Sequence, residues 1–369
     1  MLFTCERETL LEAVLTAGRA AAARSPITAI EGLLIETLEE GLRITGYDLK
    51  KGIFMRAAAD VTEPGAIILN ARLFTEIVRN MPDGIVKVAC DESSMCTISS
   101  GMAEFNIIGI PAESFPEMPE VDHQQRISLR QDIIRKMIGE TVFSVGDDES
   151  RPIYTGALFE MSDTRFTIVA LDGFRLALRR EDIETAEIPD CSFIVPGYAL
   201  NELERMCSDS EETVKITLGS KHISFTIGEK VLVSRRLEGE FLDYRKSVPE
   251  EYSVSVTAGR EDLLRVVDRV SLIIDDRTKN PLRCVFGEDK IDFTCITPLG
   301  KAEDVCRVDG DGKGIEIGFN NKYLRDAVKA APADELMISL SSGVTPCVIR
   351  PVEGDSFLYM ILPVRLKAE

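Results

Sequence analysis

Apolar residues recur at two periods along this chain, and the alternation between them predicts its elements. In FTCERETLLEAVLTAGRAAAA, which starts at Phe3, Leu10, Leu11, Val14 and Leu15 hold the spacing of one helical face. The runs GLLIETLEEGLRITGYDL and KKGIFMRAAADV then read as strands, and GAIILN leads into a second helical pattern, ARLFTEIVRNM. Two hairpin-like pairs follow, GIVKVACDESSMCTISS and AEFNIIGIP, and ESFPEMPEV closes the segment.

The same order of elements returns twice. RISLRQDIIRKMIGETVFSV is a strand and then a helix, GALFEMSDTRFTIVALDGFRLALRR matches the first strand set, and CSFIVPGYALNELERMCS is again strand then helix. TVKITLGSKHISFTIGEKVLVSRRL and EGEFLDYRKSVP complete this second copy. The third runs from YSVSVTAGREDLLRVVDRVSLII through PLRCVFGEDKIDFTCIT, GIEIGFNNKYLRDAVKAA and ELMISLSSGVTPCVIRPV to SFLYMILPVRL. Anchor positions agree: Gly32 to Gly156 is 124 residues, Gly65 to Cys191 is 126, Cys191 to Gly314 is 123, and Phe115 to Phe241 is 126. Such a period is a domain length, far beyond a solenoid unit. The expectation is an α+β chain of three similar domains, 1–122, 126–249 and 252–369, each with two helices and about eight strands. The helices are expected at roughly 6–24, 71–82, 129–142, 198–208, 260–275 and 321–331.

Composition narrows the class. The 369 residues are 44% hydrophobic and 28% charged, with mean hydropathy +0.02, which excludes disordered, collagen-like and disulfide-knot chains. No run approaches the ~18 apolar residues of a membrane helix, and MLFTCERETL lacks the layout of a signal peptide. The nine cysteines form no C-x-x-C, and most, among them Cys90 and Cys347, sit in apolar runs and read as buried free thiols of a reducing cytoplasm. Trp is absent and only His123 and His222 are present, so most zinc sites and histidine-base schemes have no residues to use. Neither a cofactor nor a metal is expected.

The net charge is −19, which by itself argues against a nucleic-acid coat. It is unevenly spread, however: the six expected helices hold 15 basic and 13 acidic residues, so they carry +2 and the rest of the chain −21. Helices lining a curved inner wall pack roughly 8–10 Å apart. Six give a circle only about 15–19 Å across at the axes, too small for a duplex; twelve give about 31–38 Å, and roughly 21–28 Å clear of the helix bodies. Two copies joined head to tail, first domain to third, would admit a double helix where one would not.

Six strings in this order on a threefold repeat resemble the bacterial DNA sliding clamp family: FTCERETLL near the N-terminus, RPIYTG at 151–156, LDGFRLAL at 171–178, FLDYRKSVP at 241–249, IGFNNKYL at 317–324 and LPVRL at 362–366. The resemblance covers essentially the whole chain. It implies domains of two helices packed on antiparallel sheets, with the helices lining a homodimeric ring. It also implies a processivity factor without catalytic activity, which encircles double-stranded DNA with no sequence preference. The implied partners are the replicative DNA polymerase, an ATP-dependent clamp loader, and other polymerases and repair proteins that carry short clamp-binding peptides. No membrane is involved, and the implied location is cytoplasmic and nucleoid-associated.

The same resemblance implies a partner-peptide pocket between the second and third domains. Tyr154, Leu171, Gly173, Phe174, Arg175 and Leu176 would form one wall. Leu242, Lys246 and Ser247 come from the connecting segment. Asn320, Tyr323, Val344 and Met360, with Leu362, Pro363, Val364 and Arg365 of the C-terminal run, complete it. A short apolar peptide gains roughly 25 cal/mol per Å² buried there, and Arg175 and Arg365 are expected to hold its carbonyls or an acidic flank. Leu242 stands where the family often has Pro, and Phe174 where it often has His; Lys367, Ala368 and Glu369 extend past the usual end. For DNA the expected contacts are Arg24, Arg72, Arg79, Arg151, Tyr154, Arg205, Arg277 and Lys279. For the dimer seam they are Phe105 and Ile107 against Leu272 and Ile273.

Rival signals are weaker. VDGDGKGIEIGFN (308–320) has some EF-hand offsets, but Lys313 occupies a ligand position and Asn320 stands where the bidentate Glu belongs, so it reads as a tight turn between strands. The alternatives are a clamp-fold paralogue acting as a resistance decoy or scaffold, and a carboxylate-dependent hydrolase, for which no paired-carboxylate constellation exists.

Overall fold

The computed structural model describes residues 1–122, 125–162, 164–183, 190–275 and 280–366. Six α-helices occupy the six expected places: α1 (Arg7–Gly18), α2 (Ala71–Asn80), α3 (Gln131–Gly139), α4 (Gly197–Met206), α5 (Arg260–Ser271) and α6 (Asn321–Ala330). Three are shorter than their patterns predict. The alanine run after Gly18 favours helix, yet Ala22 N–H bonds to Ile30 O and draws the chain away, so Arg24 sits in a loop. Residues 129–130 end a strand and Val142–Ser144 tighten to a 3₁₀ turn, which trims the third helix at both ends. The fifth stops at Ser271, with Leu272 as its cap.

The first repeat contributes β1 (Leu2–Glu6), β2 (Gly32–Leu38), β3 (Gly41–Tyr47), β4 (Lys51–Ala57), β5 (Asp60–Glu63), β6 (Ala66–Asn70), β7 (Ile85–Cys90), β8 (Met95–Ser100), β9 (Ala103–Ile108) and β10 (Ile110–Pro111). The second contributes β11 (Gln125–Arg130), β12 (Gly156–Ser162), β13 (Arg165–Leu171), β14 (Arg175–Asp182), β15 (Cys191–Pro196), β16 (Thr213–Leu218), β17 (His222–Ile227) and β18 (Lys230–Arg235). The third has β19 (Val254–Gly259), β20 (Leu282–Thr297), β21 (Gly300–Phe319), β22 (Glu335–Leu340), β23 (Cys347–Pro351) and β24 (Phe357–Ile361). Ten, eight and six strands replace the even eight expected, because the third repeat fuses its strands into one long antiparallel hairpin, β20–β21. The 308–320 segment is part of that hairpin and not a tight turn. It stays in β21 through a bulged register opposite Phe286–Lys290, with Gly310 and Gly314 at φ +124° and +68°.

All pairings are antiparallel and build three sheets. One has the order β5-β1-β7-β8-β9, a second β10-β6-β2-β3-β4-β18-β17-β16-β11, and a third β15-β12-β13-β14-β24-β23-β22-β19-β21-β20. The second repeat therefore has no sheet of its own: β18 hydrogen-bonds to β4, and β14 to β24. Accordingly the described residues divide into two compact units, Met1–Arg135 with Asn201–Arg236, and Lys136–Leu200 with Leu237–Glu369, the cut running through the second repeat.

Helix starts and packing follow from local chemistry. Asn70 caps α2 by accepting from Leu73 N–H at 3.0 Å, and Asn320 caps α6 by accepting from Lys322 N–H at 3.0 Å. Phe74, Ile77 and Val78 of α2 bury against Phe3, Leu33 and Val86, while Leu263, Val266, Val267 and Val270 of α5 join Phe293, Phe319 and Tyr359. Each such side chain contributes about 1.5–3 kcal/mol on burial. Gly46 is needed for close approach, since a Cβ there would strike the carbonyl of Ala17 in α1.

Seven described cysteines are thiols outside any disulfide, six of them buried. Cys90 is not one of them, contrary to its apolar setting: it faces Cys96 across β7 and β8 with Cα atoms 4.1 Å apart, and the two form a disulfide. The opposed register of β7 and β8 brings the two cysteines together, which a six-residue sequence separation does not reveal. Among the described residues no helix is long and apolar enough to cross a membrane.

Candidate functional site

The site is organised by the tight turn between β13 and β14. Asp172 Oδ1 accepts from the N–H groups of Phe174 (2.8 Å) and Arg175 (3.0 Å), and Gly173 supplies the φ of +91° the turn requires. Asp172 Oδ2 accepts from Arg175 Nε at 3.0 Å, and Arg175 Nη1 reaches Asp326 of α6 at 2.8 Å. The guanidinium also lies 4.4 Å over the ring of Tyr323 and 5.5 Å from that of Phe143. Arg175 is thus held within the wall through Nε and Nη1.

This arrangement lifts Phe174 outward. It is 61% exposed and stacks on Tyr323 with ring centroids 6.5 Å apart. The C-terminal run is tied beside it: Leu362 N–H donates to Phe174 O and Val364 N–H to Gly318 O, both at 2.8 Å. Phe174, Asn320, Tyr323, Leu362, Pro363 and Val364 therefore line one cavity of about 670 Å³. Ile274, Pro281, Phe319 and Lys322 line it too and were not singled out in the sequence. Burial raises the Tyr323 phenol pKa, and the Asp172 carboxylate adds to the shift.

A second group of expected residues forms an apolar floor. Leu171, Leu176 and Met360 are buried in one cluster with Leu158, Val169 and Tyr244; Tyr154 and Phe241 pack against it, their rings edge to face at 6.1 Å. Tyr244 holds the connecting segment down: its hydroxyl donates to Glu160 at 2.7 Å, and Arg245 Nη2 donates to the same oxygen at 2.9 Å. Burial, then Glu160, pushes the Tyr244 pKa up. Leu242 (44%) and Val344 (83%) are exposed, as is Lys246, which pairs with Asp243 at 3.0 Å. Ser247 is half-buried and Arg365 exposed. Lys367–Glu369 lie outside the described residues.

Over its full length the chain matches three consecutive domain families: the DNA polymerase III beta subunit N-terminal domain at residues 1–119, the central domain at 128–243 and the C-terminal domain at 245–365. The chain belongs to the DNA polymerase III beta subunit family. It is 30% identical to the beta sliding clamp of Staphylococcus epidermidis and 28% to that of Staphylococcus aureus, in each case over 99% of both chains. Among solved structures it superposes on a putative DNA polymerase III beta subunit from Eubacterium rectale (TM-score 0.94, 30% identity, 99% of both chains) and on the Bacillus subtilis sliding clamp (0.93, 27%, 100% of both). A Pseudomonas aeruginosa sliding clamp bound to griselimycin superposes with a TM-score of 0.93 at 26% identity, covering 99% of this chain and 100% of that one. The protein is accordingly a sliding clamp of three clamp domains, a processivity factor of DNA replication and not an enzyme.

The expected DNA contacts of this clamp are dispersed. Arg24 and Arg72 are exposed, the latter in the first turn of α2, beside a hollow of about 640 Å³ that Arg19 and Arg72 both line. Arg79 pairs with Glu76 and Arg205 with Glu202, each within its own helix, and Arg151 is exposed. Arg277 and Lys279 lie outside the described residues. At the expected seam, Phe105 (42%) is exposed on β9, while Ile107 packs against the first-repeat core; Leu272 is 83% exposed, while Ile273 packs against the third-repeat core. Ile108, at 75%, is exposed as well.

Proposed function

We propose that two copies of this clamp close head to tail into a ring around duplex DNA, and that partner proteins insert a short apolar peptide beside Phe174, Leu176, Leu362 and Met360. The observation that carries the reading is the paired construction of the pocket, a cavity of about 670 Å³ next to a buried apolar floor. A few anchors in such a site supply most of the binding energy. The domain limits 1–122, 126–249 and 252–369 belong to this reading.

Support for the seam comes from two strands, β9 and β20, each at the edge of its sheet with one side unpaired. Backbone pairing between them would continue a sheet from one copy to the next. Retention on DNA is then topological, so phosphate contacts from Arg24, Arg72, Arg151 and their neighbours stay few and weak enough for sliding. The partners of this reading are a replicative polymerase, other polymerases and repair proteins, and an ATP-dependent loader that opens a seam, in a nucleoid-associated cytoplasmic setting.

The test is a nicked circular plasmid loaded with clamp. Linearisation should release the protein from the ends, whereas equal retention on linear and circular DNA refutes encirclement. Leu362→Ala with Arg365→Ala should abolish polymerase stimulation while the dimer persists; unchanged stimulation removes the pocket assignment.

A further inference from the structure

The floor cluster of the partner pocket has a counterpart in the first repeat, and the two are built alike but filled differently. Registers match at an offset of 124 residues: Glu36 pairs with Arg43 and Leu34 with Thr45, as Glu160 pairs with Thr167 and Leu158 with Val169. Thr45 pairs with Phe54 as Val169 pairs with Leu178. The covering segments correspond as well, Phe115 to Phe241, which sets Met118 opposite Tyr244.

In the second repeat Tyr244 occupies the space over Leu158, Val169 and Leu178 and donates to Glu160. In the first repeat the corresponding residue, Met118, lines one wall of a cavity and leaves the rest of it open. Gly52 stands where the second repeat has Leu176, and Met118 Sδ lies so close to Gly52 that a Cβ there would collide with it. The space over Leu34, Thr45 and Phe54 is instead a cavity of about 700 Å³ beneath the segment Phe115–Val121, with Val231 and Val233 on its far side. Its polar groups are unusual for a sheet face. Thr45 is 2% exposed and its Oγ1 has no hydrogen-bond partner; Arg43 lies 4.2 Å over the Phe54 ring, and its Nε has none either. Buried polar atoms of this kind are ordinarily satisfied.

We infer that this cavity binds a phenol. The ring sits between Leu34, Thr45 and Val231, and its hydroxyl donates to Glu36 as that of Tyr244 does to Glu160. Rotation of Thr45 about χ1 brings its hydroxyl to the ligand. An apolar ring with one polar handle is the chemistry such a mixed lining selects.

The probe is p-cresol, titrated into the full-length protein by calorimetry. Saturable binding with Kd on the order of 1 mM is expected for a ligand of this size, with toluene at least about tenfold weaker because it leaves Glu36 without a donor. Met118→Tyr should restore the second repeat's filling, raise the melting temperature and abolish p-cresol binding. Should that variant fold poorly, Glu36→Gln tests the same contact and should weaken p-cresol about tenfold. N-acetyl-tyrosinamide separates the sources: binding as tight as p-cresol assigns the site to tyrosyl side chains, weaker binding to free phenols, and either upholds the phenol. No saturation by about 20 mM p-cresol, equal affinity for toluene, or undiminished binding by a folded Met118→Tyr protein overturns the inference.

Discussion

Arg175 and Asp326, 151 residues apart, meet at 2.8 Å and join the β13–β14 turn to α6. Their side chains are only 10% and 22% exposed, and Asp172 holds the same guanidinium from below. Arg175→Ala strands two partly buried carboxylates and should cost about 2–3 kcal/mol in urea unfolding. A clamp-binding peptide should lose at least about tenfold in affinity, because Phe174 and Tyr323 lose their brace. Arg175→Lys should recover less than half of either effect, since an ammonium does not span two carboxylates in a plane.

Leu272 separates association from folding. At 83% exposure it contributes little to its own domain, so Leu272→Asp should leave thermal unfolding of the monomer within about 0.5 kcal/mol of the original. Sedimentation velocity should show a dimer turned monomer. A dimer that persists at micromolar concentration relocates the seam.

The Cys90–Cys96 bond closes a short loop between adjacent strands. Denatured protein prepared without reductant should titrate seven thiols and reduced protein nine. Loop-closure entropy puts the stabilisation at about 2 kcal/mol, so Cys90→Ser should lower stability by that amount under oxidising conditions and leave it near that of the reduced protein otherwise.

His222 supplies a pH dependence. Burial, then Arg235 on the neighbouring strand, holds its imidazole pKa below the ordinary 6.5. The fold therefore binds this proton more weakly than the unfolded chain does. Stability present above pH 6.5 is lost as pH falls through that value toward the depressed one. In proton NMR one of the two imidazole signals should titrate below 6.5 and vanish in His222→Gln, which should also flatten stability between about pH 7 and 5.

How far the sequence reaches is visible in particular residues. The six helices were legible because faces such as Phe74, Ile77 and Val78 repeat at helical spacing and Asn70 marks a start. The α1 end was not, because alanines after Gly18 carry helix propensity while the bond from Ala22 to Ile30 is tertiary. Of the residues the motifs singled out, Leu171, Leu176 and Met360 share one buried cluster, and Leu362 lines the neighbouring cavity. What stayed hidden was pairing: Asp326 as the fate of Arg175, Glu160 as the fate of Tyr244, and Cys96 as the fate of Cys90. Each needs the exact register of a hairpin, or of a distant segment against a sheet or turn, which hydrophobic periodicity does not encode.

The sharing of sheets by the second repeat bears on where a ring of the proposed kind would part. Between consecutive repeats the chain is stitched by unbroken amide ladders, β4 to β18 and β14 to β24, and parting either would break several backbone bonds at once. In the proposed ring, by contrast, the rims that meet are those of β9 and β20, which no ladder among the described residues closes.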